Sequence, residues 1–376
     1  MSRREFDGRV LENDPARRGN LMRVFTAGLS AVDPMVAVGG ALIRDGELLS
    51  IAGRQFDLSE FDRCRILSFG KASVPMASAV AAVLRDQLVE GVVISNDPQE
   101  IQGLEVLVAT HPVPDQRSIL AACRLVEMAA SAGARDLVIV LISGGGSALL
   151  TLPDDGIGLT DLAATTRELL RCGATIDELN TVRKHLSAVK GGRLAETLAG
   201  AGAVSTLVVS DVIGDDLSVI ASGPMVPDPT TFGDALAVLD RYQLRMDVPS
   251  VVVDRLEAGA AGEIKDTPSD GAVVDEESIT VVASAADAAA GAIRRAAADG
   301  WEASLVTTTL AGEAREVAES VVNASRDIAP GQMLVYAGET TVTVRGDGAG
   351  GRNQELALAA AIKLVGDDGV VLLAGG

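Results

Sequence analysis

The run from Leu137 to Ile142, followed at once by Ser143, Gly144, Gly145, Gly146 and Ser147, restricts the fold more than any other stretch of the chain. Six consecutive leucine or β-branched residues leave no face for water. That is the pattern of a strand buried on both sides, as in parallel sheets covered by helices. The glycines stand where such a strand ends, at the edge where open α/β sheets bind ligands.

Similar runs recur, separated by alanine-rich stretches of helical period. Strands are expected at 65–69, 91–95, 105–109, 137–142 and 206–210, and helices at 75–85, 118–130, 160–171, 177–198 and 235–242. This alternation predicts an α/β chain with a doubly wound, mainly parallel sheet. From Val248 to Ser278 the pattern dissolves into acids, Pro, Gly and Ser, so that 251–278 reads as a linker between a domain over 1–250 and a second over 279–376. In the second, strands are expected at 279–284, 304–308, 333–337, 340–344 and 370–373, with helices at 286–298, after Gly312 and from Arg352.

Charge narrows the function. Acids outnumber bases by 52 to 32, for a net charge of −20, which disfavours nucleic acid and anionic membranes as partners. Such a surface suits concentrated salt. Stability is expected to rise with KCl, because the Debye length falls from about 10 Å at 0.1 M to about 3 Å at 1 M and self-repulsion is screened; a melting temperature that stays flat or falls would reject this reading. The stretch "MSRREFDGRV" lacks an apolar signal segment, and no apolar run approaches the roughly 20 residues of a bilayer span. A cytoplasmic protein is expected. Three cysteines without C-x-x-C spacing indicate neither a disulfide framework nor a zinc site.

Only five lysines occur, and Lys71, Lys184 and Lys190 fall in motifs. In "RILSFGKAS", Lys71 follows a strand and precedes a helix, a place suited to an anion; the spacing is not that of a Walker A loop. In "SGGGSALL", Ser143, Gly144, Gly145, Gly146 and Ser147 could cradle phosphate with backbone N–H groups and hydroxyls, although a structural turn would use the same residues. In "LNTVRKHLSAVKGGRLA", Arg183, Ser187 and Lys190 share one face of the expected helix, with Asn180 and Lys184 on an adjacent one. They suggest either a bound anion or a salt-bridged surface. Asp211, with Asp215 and Asp216 shortly after it, follows a strand where Mg²⁺ or a general base would be needed. His111 and His185 read as core or capping residues. Gly346, Gly348 and Gly351 satisfy G-x-G-x-x-G, but the acid that should follow about 20 residues later is missing. Arg352, next to Gly350 and Gly351, suits a phosphate or carboxylate better.

"SFGKAS", "HPVPD", "SGGGSALL", "LNTVRKHLSAVKGGRLA", "SDVIGDDLSVIASGP" and "GGRNQELAL" follow the order and approximate spacing of the class II glycerate kinases, the glycerate 2-kinase or MOFRL-domain family. The chain resembles this family over nearly its whole length. The resemblance implies two Rossmann-like three-layer domains with mainly parallel sheets and an interdomain cleft. It also implies phosphorylation of D-glycerate to 2-phosphoglycerate, dependent on ATP and Mg²⁺. By the same resemblance Lys71 matches the family's catalytic lysine and Arg352 its arginine partner. Relatives continue past "LLAGG", so the second domain is expected to be shortened at its carboxyl end. An NAD(P)H-dependent hydroxypyruvate reductase and a non-catalytic glycerate-binding protein remain as alternatives, and homo-oligomerisation stays open.

Overall fold

The computed structural model describes residues 15–376, except 85, 86, 88, 270–275, 347 and 368. The amino-terminal stretch read above, and part of the expected linker, therefore lie outside the described residues. The chain divides into two compact units, Asp33–Ser284 and the combination of Met1–Val32 with Ala285–Gly376.

In chain order the elements begin with α1 (Pro15–Ala31), α2 (Pro34–Gly40), β1 (Leu42–Asp45), β2 (Leu48–Ile51) and β3 (Arg54–Asp57). Next come β4 (Arg63–Phe69), α3 (Ser73–Leu84), β5 (Val89–Ser95), β6 (Glu105–Val108) and α4 (Gln116–Ala130). β7 (Asp136–Ser143) leads into the single turn α5 (Gly146–Leu149), then α6 (Leu159–Arg171), α7 (Ile176–His185), α8 (Arg193–Thr197) and β8 (Ala203–Val209). α9 (Phe232–Arg241), α10 (Ser250–Ala260) and β9 (Ile279–Ala283) complete the first unit. The second adds α11 (Ala285–Ala298), β10 (Glu302–Leu310), α12 (Ala314–Arg326), β11 (Gln332–Gly338) and α13 (Arg352–Lys363) to α1.

The first unit is organised by a six-stranded sheet of order β6-β5-β4-β7-β8-β9, parallel throughout. Every residue of β7 is buried. Alternation divides its side chains between two cores: Val138, Val140 and Ile142 face the layer with α4 and α8, whereas Leu137, Ile139 and Leu141 face α2, α3 and the β1-β2-β3 meander. A third apolar cluster joins α6, α7, α9 and α10. After β4 the chain moves outward through β5 and β6, and after β6 it returns to β7 and moves the other way. β4 and β7 are thus adjacent strands whose connections diverge, which makes their carboxyl ends the topological switch point.

Three expectations change. The segment 279–284 does not open the second series, because β9 pairs in parallel with β8 and satisfies its backbone groups at the edge of the first sheet. The stretch 251–278 is not wholly a linker, since α10 buries Val252 and Leu256 in the third cluster. The helix expected over 177–198 stops at His185, and Gly191 and Gly192 adopt φ of +57° and +80° before α8 begins. Left-handed residues cannot continue a right-handed helix.

In the second unit α1 packs on α11 through small residues: a side-chain carbon at Gly28 would lie 3.0 Å from the Ala288 carbonyl oxygen. β10 and β11 pair in parallel. The expected strands 340–344 and 370–373 do not form; among the described residues only an isolated bridge, Glu313 to Thr341, touches either one. A run without a partner strand cannot satisfy its backbone as a ladder. No single helix among the described residues is long and apolar enough to cross a membrane.

Candidate active site at the switch point

The carboxyl edge of the first unit's sheet collects the chemistry-bearing residues. β4 delivers Gly70 and Lys71, β6 leads to His111, β7 delivers the glycine loop, and β8 leads to Asp211. Lys71 N–H donates to the Gly144 carbonyl at 2.9 Å, and Ala72 N–H donates to Ser143 Oγ at 3.0 Å. These bonds tie the two turns of the switch point into one platform. Gly70, at φ +121°, lies so close to Ser143 that a side-chain carbon would overlap its hydroxyl and sit 2.8 Å from its carbonyl carbon.

The glycine loop is shaped by its neighbours. A side-chain carbon at Gly144 would overlap the Asp211 carboxylate, and one at Gly145 would lie 3.0 Å from both Lys71 Cε and His111 Cδ2. Lys71, His111 and Asp211 therefore crowd the same two glycines. Burial pushes the His111 imidazole below its usual range; the Lys71 charge pushes the same way and Asp211 opposes both. The histidine read as a core or capping residue thus borders the site. Its position just beyond an edge strand in "THPVPD" was the available signal.

Beyond the glycines a second cluster centres on Ser147. Its hydroxyl lies 2.8 Å from Ser222 Oγ and accepts from Arg183 Nη2 at 2.9 Å and Lys190 Nζ at 3.1 Å. Ser222 donates to Asn180 Oδ1 at 3.2 Å. Lys190, only 4% exposed, also donates to the Ser147 carbonyl at 2.8 Å. Burial and the neighbouring Arg183 charge hold its ammonium well below the ordinary lysine range. Arg183 and Lys190 meet at Ser147 because the chain breaks out of the helix, not because they share a helical face. Ala221, Ser222 and Gly223 all take left-handed φ, between +53° and +64°. Strain in non-glycine residues of this kind concentrates at functional sites. The polar loop "IASGP" carried that signal without its geometry.

Lys184 does not join this cluster. It turns to the fully buried Asp228, with Nζ to Oδ1 at 3.4 Å, and Asp228 also accepts from Thr230 and Thr267. Asp228→Ala is expected to destabilise the protein by about 3–5 kcal/mol, since it leaves a buried ammonium without its partner. Urea denaturation measures this, and Lys184→Met in the same chain should recover most of the loss. An unchanged midpoint in Asp228→Ala would show that the pair carries no such burden.

Asp215 has φ +56° in the loop after β8, and among the described residues no group of three or more His, Cys, Asp or Glu is arranged to hold a metal ion. Arg352 begins α13 in the other unit, half-exposed and paired with Glu339. Around Gly346, Gly348, Gly350 and Gly351 a side-chain carbon would meet nothing within 4 Å. No strand leads into this stretch, so the structural context of a dinucleotide fingerprint is missing.

Residues 20–257 match the family described as a domain of unknown function, DUF4147, and residues 332–376 match the MOFRL family. A glycerate 2-kinase of Pyrococcus horikoshii is 38% identical over 353 residues, covering 91% of this chain and 78% of the relative. A D-glycerate 2-kinase of Thermotoga maritima is 39% identical over 325 residues, covering 84% of this chain and 75% of the relative. An Agrobacterium vitis protein provisionally named a hydroxypyruvate reductase is 39% identical over 379 residues, 98% of this chain and 81% of its own. The crystal structure of a Thermotoga maritima glycerate kinase superposes with a TM-score of 0.79 at 35% identity, covering 93% of this chain and 81% of that one. By family match, identity and fold together, this chain belongs to the glycerate 2-kinase family, in which a DUF4147 region precedes a MOFRL region.

Proposed function

We propose that the protein transfers the γ-phosphoryl group of ATP to the 2-hydroxyl of D-glycerate, with Mg²⁺. The observation that carries this reading is the convergence of Lys71, His111 and Asp211 on Gly144 and Gly145 at the switch point. The named activities of the two glycerate 2-kinase relatives support it.

The chemistry follows from charge. Phosphoryl transfer offers little covalent work to a protein, so positioning and electrostatic stabilisation dominate. The 2-hydroxyl oxygen bonds to the γ-phosphorus, the bond to the β,γ-bridging oxygen breaks, and ADP leaves. In this reading Lys71 neutralises oxygens of the moving group, the loop at 143–147 receives phosphate or carboxylate oxygens, and Asp211 orients the hydroxyl and takes its proton. The donor set is compatible with Mg²⁺, which is commonly held by one or two carboxylates plus substrate phosphates; Asp211 would be the carboxylate, with Asp215 a second candidate. When bound, the ion would offset phosphate charge.

Arg352 is proposed as a second phosphate-neutralising cation on the chemistry of its guanidinium at a helix start. Arg352→Lys keeps the charge but loses the planar fork, so turnover should fall roughly 10-fold or more for the loss of one charge-assisted bond. Full turnover in that variant would remove Arg352 from the reaction. The overall reading is tested by ADP release: release should depend on D-glycerate, and NADH should not be oxidised with hydroxypyruvate. The opposite pattern would favour the reductase.

A further inference from the structure

We propose that Arg183 binds the carboxylate of the three-carbon acid, with Ser147 holding the guanidinium and Lys190 holding the turn that carries Ser147. This rests on the glycerate reading above and deepens it by assigning one end of the substrate to a subsite.

The charge around Ser147 is unbalanced. Arg183 and Lys190 meet on one serine hydroxyl. Among the described residues neither forms an ion pair, in a chain where acids outnumber bases by 52 to 32. A buried cation without a counter-ion is costly. The two respond differently. Lys190 sheds its charge tendency under burial and donates to the carbonyls of Ser147 and Leu150, at 2.8 Å and 3.4 Å, which makes it a positioning residue. Arg183 is less enclosed than Lys190, and burial lowers its proton affinity; even so, an arginine stays charged in proteins. Among the described residues the one protein hydrogen bond of its guanidinium is the Nη2 bond to Ser147. The remaining donors of its fork match a carboxylate.

Spacing allows the carboxylate to be this anion while the reacting hydroxyl lies near Lys71. Gly145 lies against Lys71, and Ser147 is two residues further on. Two residues reach at most about 7 Å. A 2-hydroxy acid carries its carboxylate and its reacting oxygen on adjacent carbons, so the two ends fit neighbouring places on this short loop. Ser222 and Asn180 add hydroxyl and amide groups beside Ser147, suited to a hydroxylated acid.

The test compares D-glycerate with D-glyceramide, its uncharged amide, in the full-length chain. The wild-type protein should discriminate against the amide by roughly 10- to 150-fold in kcat/KM, the range of a charge-assisted hydrogen bond. Arg183→Met should raise KM for glycerate by a similar factor, leave KM for ATP nearly unchanged and abolish the discrimination. Arg183→Lys should fall between them. Equal use of acid and amide by the wild-type protein overturns the assignment, and needs no variant that might misfold. So does an Arg183→Lys or Arg183→Met variant whose loss appears in KM for ATP. Calorimetric titration of D-glycerate without nucleotide separates this inference from the kinase reading. Arg183-dependent binding without any turnover would sink the kinase and keep the subsite, whereas turnover without Arg183 dependence would do the reverse.

Discussion

Lys71→Ala is expected to lower kcat by about 10²–10³-fold, the usual consequence of removing one preorganised charge from a transition state, with KM for D-glycerate little changed. Lys71 is exposed, its backbone N–H is fixed to the Gly144 carbonyl, and its side chain runs over Gly145. Its place is thus set by backbone bonds that survive truncation, and the loss should be chemical. An interaction used mainly in the transition state lowers kcat and kcat/KM together. Near wild-type turnover in Lys71→Ala would reduce the lysine to a turn residue. Unchanged thermal stability should accompany the kinetic loss, and a large drop in stability would shift the explanation to the fold.

Gly70→Ala is expected to damage stability and activity together. At φ +121° a side chain is strained, and its carbon would overlap Ser143 Oγ and sit 2.8 Å from the Ser143 carbonyl carbon. The obstacle is backbone of a central strand, so no flexible side chain can yield. Strain of about 1–3 kcal/mol and overpacking of about 1–3 kcal/mol predict a loss of roughly 2–6 kcal/mol. β4 and β7 would have to part where Lys71 and the glycine loop meet. Chemical denaturation and steady-state kinetics should both register the change. A variant as stable and active as the parent would mean that the close approach of the two turns is not required.

The sheet was readable where burial is complete. β4, β5, β7 and β8 are fully or largely buried and centred on Val, Ile or Leu, and such segments announce themselves whatever surrounds them. The β1-β2-β3 meander is not legible because each strand has four residues, some of them exposed, too short for alternation to stand out. β9 reads as a strand in the sequence but its unit does not, since strand order depends on pairing, here with β8, that a single sequence does not display. The same distinction holds at the site. Lys71 and the glycine loop were legible from strand ends. Arg183 and Lys190 read as one helical face, yet α7 ends at His185 and the irregular stretch after it carries Lys190 to Ser147, where Arg183 also bonds. His111 carries only its place after a strand as a local signal; its meaning comes from Lys71 and Asp211, far from it in the chain.

The most direct test of the account is phosphorus NMR of the product formed by the full-length chain from ATP and D-glycerate. Phosphoryl transfer at the switch point predicts ADP together with 2-phosphoglycerate in equal amounts, both formed about 10²–10³-fold more slowly by Lys71→Ala. Formation of 3-phosphoglycerate, release of free phosphate alone, or undiminished 2-phosphoglycerate from Lys71→Ala would contradict it.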